Sequence, residues 1–297
     1  MIYNMENEFF EMKVESKGCE IVSLKRKDIG AEYIWDGNPD AWKRHAPILF
    51  PVVGKYKGNI TRYKGKEYRL SQHGFARDTE FELVERKKGY LCMKMTDNSQ
   101  TRQVYPFAFE LQVAYTLAGQ KVQVSWKVKN TGADVMYFSI GGHPAFVAPQ
   151  GSMTGANLKI YAGHRILNKL QYQLLSEDGL CEREVHVKDL DYTAGKLKVT
   201  EDMFDQDAWI VETEQYGDTI DRIKVEIDGR DYLGVSFKTP VVGLWSAKEK
   251  GNPFLCIEPW YGRTDAVDFD QDLTKREYGN SLNAGECFDG EFEIEVF

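Results

Sequence analysis

The chain has 297 residues, 42% of them hydrophobic and 13% aromatic, with a formal net charge of −8. That aromatic content excludes a disordered chain, and the negative charge argues against a nucleic-acid partner. Five scattered cysteines, Cys19, Cys92, Cys181, Cys256 and Cys287, include no CxxC pair; they point away from a disulfide framework or a zinc site and towards reduced thiols in a cytoplasmic protein.

The N-terminal stretch MIYNMENEFFEMKVESKG is acidic where a signal peptide would be basic. No later apolar run approaches the ~18 residues of a membrane span, so no membrane partner is expected. Apolar and polar residues alternate over 9–14, 67–70, 80–84, 90–95, 109–116, 121–129 and 223–227. A period of two marks half-buried strands. In KVQVSWKVK, Val122, Val124, Trp126 and Val128 share one face, and lysine and glutamine are prominent on the other. Turn signals recur at 27–30, 36–39, 130–132, 177–179 and 228–230. Short helical turns are expected near 41–44 and 188–192, and no amphipathic helix of ordinary length. With no Pro- or Ser-rich linker and no repeat, the expectation is one all-β domain over 1–297, a large antiparallel β-sandwich.

No GxGxxG opens a helix and no GxxxxGK[ST] occurs, so no nucleotide cofactor is expected. The Gly141-Gly142 pair lies inside a β pattern and reads as a bend or a close backbone approach. Two of the five histidines sit in glycine-flanked settings: His73 in QHGFAR and His143 in SIGGHPAF. Glycine lets a ligand or another backbone come close. A lone histidine is more often structural, and each motif by itself leaves both uses open.

Glu258 lies in FLCIEPWYG, after an apolar run that reads as a buried strand. Burial would raise its pKa, as suits a general base. The competing use is a strand-end carboxylate satisfied by backbone donors or paired with Arg263. Trp245 and Trp260 are candidate platforms for the C–H faces of a sugar, or ordinary core. Asp207, in FDQDAW, either binds hydroxyls or makes a turn. Arg77 and Lys55 are candidate holders of a hydroxyl or a phosphate. Without HxH or HExxH, no metal site is expected.

PILFPVVG at 47–54, HGFAR at His73, GGHPAF at His143 and CIEPWYG at Glu258 occur in that order. This ordered set resembles the aldose 1-epimerase (galactose mutarotase) superfamily, in particular its LacX-like branch, from about Pro47 to the C-terminus. The resemblance implies a β-supersandwich with a cleft on one concave sheet, and an isomerase that needs no cofactor. It implies Glu258 as general base, His143 as general acid, His73 near the sugar ring oxygen and Asp207 on sugar hydroxyls. Galactose mutarotases carry an Asn-Arg pair where this chain reads GKYKGN; Lys55 stands nearest that position and lacks the arginine fork. Arg77 resembles an arginine of hexose-6-phosphate mutarotases. The expected partner is a monosaccharide or sugar phosphate, and the expected assembly a monomer or homodimer. A glycoside hydrolase or lyase, or a non-catalytic carbohydrate-binding protein on the same scaffold, are the rival functions.

Overall fold

The computed structural model describes residues 1–191, 195–247, 251–270 and 272–297. Five of the seven alternating segments enter one ten-stranded antiparallel sheet, while 9–14 lies in a three-stranded sheet with Ile2–Glu6 and Glu20–Arg26, and 67–70 pairs with Ile60–Tyr63. The path of the ten-stranded sheet runs through Arg165–Ile166, Asn157–Ala162, Arg222–Ile227, Arg230–Phe237, Cys287–Val296, Lys121–Asn130, Phe109–Ala118, Tyr90–Thr96 and Glu82–Lys87. Lys196–Lys198 pairs onto Asn157–Ala162 off this path. In Lys121–Asn130, Trp126 stands opposite Val113 on one side and Gly290 on the other. Val122, Val124, Trp126 and Val128 are buried in the main core, while Lys127 and Lys129 are exposed. One face is therefore packed and the other wet, which is what the period of two requires.

A six-stranded sheet covers the same core from the other side. Its order is Trp209–Glu212, Val241–Trp245, Leu255–Tyr261, Ile140–Gly142 and Ile48–Leu49, with Ala145–Phe146 also paired to Leu255–Tyr261. Ile48, Ile140, Val211, Val242, Leu244 and Ile257 point into the main core. The opposite face is buried too: Leu49, Ile210, Val241 and Trp260 form a second cluster, and Ala145, Phe254 and Cys256 a third. The result is the expected all-β sandwich.

Several local expectations are corrected. Residues 41–44 do not form a helical turn of their own; the Ala41 and Trp42 amides both donate to the Asn38 carbonyl, closing a turn that begins earlier. Lys188 lies in the strand His186–Asp189, opposite Leu170. That pairing takes the backbone groups a helix would use; Tyr192 lies outside the described residues. Strand 80–84 starts later, at Glu82, because Glu80 instead bridges Lys17. The described helices are short: Thr101–Val104, and 3-10 turns at Lys57–Asn59, Ala76–Asp78 and Leu273–Lys275. No described helix is long and apolar enough to cross a membrane. All five cysteines are unpaired.

Candidate active site

Glu258 is not at the end of its strand but in its middle, within Leu255–Tyr261. Side chains alternate along a strand, so Cys256, Glu258 and Trp260 share the face turned away from the main core. The neighbouring segment pairs with this strand twice, Gly141 opposite Trp260 and Ala145 opposite Cys256. Continuing that register puts His143 opposite Glu258, in the gap between the two paired stretches. Cross-strand partners project to one face and meet. His143 Nε2 lies 3.1 Å from Glu258 Oε2.

Both side chains are buried, His143 at 7% exposure and Glu258 at 1%. Burial holds the Glu258 carboxyl well above the usual carboxylate range, and the negative charge of Asp207 adds to the effect. Burial pushes His143 down to about 3, helped by the positive charges of Arg77 and Arg44. The empty site therefore favours the uncharged pair. Glu258 Oε2, His143 Nδ1 and Trp260 Nε1 are buried without a hydrogen-bond partner among the described residues. The two groups lie 3.1 Å apart without forming a full hydrogen bond. Orphaned buried polar atoms beside a cavity are what a polar ligand would satisfy.

The cavity has a volume of about 290 Å³. At ~30 Å³ per water it holds roughly ten waters, or one sugar ring. Seven of the eight candidate side chains line it: His73, Arg77, His143, Asp207, Trp245, Glu258 and Trp260. Lys55 does not; its side chain lies over Gly179 at the rim, and its backbone is tied to Thr264 and Asp265.

His73 is carried on a tight turn at φ 64°, with Gly74 beside it at φ 70°. A Cβ at Gly74 would fall 2.2 Å from the Phe50 carbonyl oxygen, so only glycine fits there. The Gly54 amide donates to His73 Nδ1 at 3.2 Å. Burial, then the charge of His143, keep His73 well below its ordinary pKa. A neutral ring that accepts at Nδ1 carries its proton on Nε2. His73 thus carries its donor on Nε2; the Gln72 side-chain nitrogen 3.2 Å from it also donates, so this contact is satisfied only with the Gln72 amide turned to present its oxygen. Arg77 donates to the Gln72 carbonyl at 2.6 Å. Its charged neighbours are Arg44 and the carboxylates of Asp78 and Glu20.

Trp260 forms the floor. Its indole lies against the sheet because two neighbouring positions lack side chains: a Cβ at Gly141 would come 2.5 Å from Cδ1, and one at Gly243 2.5 Å from Cη2. The close approach expected at Gly141 is therefore an approach to this ring. Trp42 forms a wall that the sequence did not disclose. It stacks on His143 with ring centroids 4.8 Å apart and planes at 26°, and meets Trp245 edge-on at 5.5 Å. A tryptophan in the polar turn AWKRH was the available signal. Gln72 and Thr264, also in the lining, carry none.

Arg263 is not the partner of Glu258. It is buried against Gln173, Glu212 and Glu277. Arg276, equally buried, bonds Asp265 at 2.7 Å, Ser139 at 2.9 Å and the Val53 carbonyl at 3.0 Å. This clamp fixes the loops that bring Gly54 and Thr264 to the cavity. Among the described residues, one group could approach an ion: His143, Cys256 and Glu258, whose donor atoms lie within 4.8 Å of one another. A tetrahedral zinc at ~2.0–2.3 Å from each ligand draws its donors to within roughly 3.8 Å and needs a thiolate. Burial holds the Cys256 thiol protonated, so the trio suits proton exchange better than an ion.

A family model described as aldose 1-epimerase matches residues 1–267. The chain is 29% identical over 287 residues to Protein LacX, plasmid, of Lactococcus lactis subsp. lactis, covering 90% of each. It superposes on a galactose mutarotase related enzyme from Lactobacillus acidophilus with a TM-score of 0.91 at 31% identity, over 100% of this chain and 97% of the other. A galactose mutarotase-like protein from Lactobacillus casei gives a TM-score of 0.88 at 28% identity, over 100% of both chains.

Proposed function

The chain belongs to the aldose 1-epimerase family, and we propose that it is a mutarotase: it interconverts the α and β anomers of one aldose or aldose phosphate, without a cofactor, using Glu258 and His143. The observation that carries this reading is their buried 3.1 Å contact beside a cavity of single-sugar size.

Mutarotation opens a cyclic hemiacetal and recloses it on the other face of C1. Glu258 takes the proton from O1 as His143 gives one to the ring oxygen O5, and the C1–O5 bond breaks. The pair passes from carboxylate and imidazolium to carboxylic acid and neutral imidazole. The aldehyde turns about C1–C2, and closure returns both protons. Burial supports the uncharged pair in the empty site, and sugar hydroxyls entering the cavity supply donors that favour the charged one. Two groups flanking one carbon act as positioned acid and base, an effect of about 10²–10⁴ each.

The remaining lining residues take supporting roles. His73 Nε2–H is a donor for the ring oxygen, and Asp207 an acceptor for hydroxyls. The Trp260 face and Trp245 edge pack against C–H groups. Arg77 holds the far end of the sugar, a hydroxyl or a phosphate, through its guanidinium fork. Lys55 closes over the rim. A hydrolase would instead need two carboxylates across a glycosidic bond. Polarimetry on freshly dissolved α-anomers of a panel of aldoses and aldose phosphates tests the reading. Faster equilibration of at least one sugar is expected. Binding without acceleration, or release of reducing ends from glycosides in place of anomer exchange, overturns it.

A further inference from the structure

The role of Trp260 is not exhausted by its flat face. Its ring crosses the sheet from Gly141 to Gly243, and Gly243 is the residue directly opposite Glu258 on the adjoining strand. The indole is thereby held next to the carboxyl, two residues along the same strand and on the same face. Trp260 is 4% exposed. Its Nε1 and Glu258 Oε2 are both buried and lack a hydrogen-bond partner among the described residues. An indole N–H has no use except as a donor. The two fall short of a full hydrogen bond, yet the indole N–H is near enough to loosen the hold of Glu258 on its proton.

We infer that Trp260 is a positioning residue for Glu258: its N–H, held in place by the Gly141–Gly243 cradle, supplies the hydrogen bond that the carboxylate requires whenever His143 carries the proton. This deepens the mutarotase reading and rests on it for the kinetic part of the test. Among the influences on the Glu258 proton, burial and the Asp207 charge hold it on, and the Trp260 N–H draws it off. A carboxylate in so dry a place gains more from such a donor than one in water does. The donor is in place before any sugar arrives.

Trp260→Phe keeps an aromatic plane and removes the N–H. Gly243→Ala leaves the indole intact and displaces it. The first measurement needs no substrate: infrared difference spectra against pH, with the Glu258 carboxyl band identified by its loss in Glu258→Gln. In both variants the carboxyl should stay protonated to a pH higher by about one to two units, the usual weight of a hydrogen bond to a charged group. The second is kinetic. Trp260→Phe should lower kcat about tenfold with KM changed less than twofold, and lift the acid limb of the pH–rate profile. If Trp260→Phe folds poorly by thermal melt, the Gly243→Ala titration decides. An unshifted carboxyl titration overturns the inference, as does a variant in which KM alone rises, since a sugar platform would do that. Failure of the wild type to speed any anomer exchange would sink the mutarotase reading and leave the titration result standing.

Discussion

The two sheets share one core and differ in what lies on their other sides. The ten-stranded sheet has a wet outer face, where exposed Lys127 and Lys129 alternate with buried Trp126, Val128 and Asn130. The six-stranded sheet is covered twice, by the main core and by the clusters around Leu49, Trp260 and Cys256. In the first sheet a polar residue is cheap because water satisfies it. In the second a polar residue must find a partner or cost stability. Glu258 sits in the middle of the second, without a full set of partners. A strand that tolerates this has a use for it.

Exchanging the side chains of each sheet separates the two kinds of residue. Glu258→Gln and His143→Asn should each cut kcat by roughly 10²–10⁴ while leaving the melting temperature unchanged or higher, because an unsatisfied buried ionisable group is removed. Polarimetry beside a thermal melt reads both, and a near-wild-type rate in either would remove that residue from the pair. Trp126→Ala, in the middle of the ten-stranded sheet, should do the reverse. A cost of about 3–5 kcal/mol in a denaturant titration is expected, with kcat of the folded protein kept within about twofold. A loss of kcat without a loss of stability would show that this sheet tunes the site directly.

A smaller effect concerns acid. His143 is held to about 3 in the folded chain against ~6.5 unfolded. Between those values the unfolded chain binds the extra proton and the folded one does not, so this group costs stability as pH falls from about 6.5 towards about 3. Above that window its contribution is constant. His143→Asn should therefore lose less stability than the wild type on acidification across it. Parallel denaturation curves at pH 7 and pH 4 test this; an equal loss in the two proteins would show that His143 does not stay neutral.

The same contrast explains what was legible in the chain. Lys121–Asn130 announced itself because one of its faces is wet. Leu255–Tyr261 has no such rhythm, being buried on both sides, so the sequence reads Glu258 as following its strand although it lies within it. His143 and Glu258 stood out through their motifs. Their meeting did not, because it follows from a register that only the folded sheet defines. Trp42 reaches His143 from a loop distant in sequence, and the Arg276 clamp joins residues from three separate segments. Neither leaves a periodic trace. The alternative of a Glu258–Arg263 pair is not realised, because neighbours in sequence point to different surroundings once the strand ends.

The register that sets His143 against Glu258 also has a consequence for direction. On the proposed mechanism, the proton that leaves O1 and the one that reaches O5 belong to a single pair of groups whose total never changes. For a reaction run by that pair, the resting state after producing either anomer is the same, and no proton need be fetched from or lost to the medium. Such a site has no preferred sense of travel. It relaxes whichever anomer is in excess, and the net flow is set entirely by the reactions that deliver one form and remove the other.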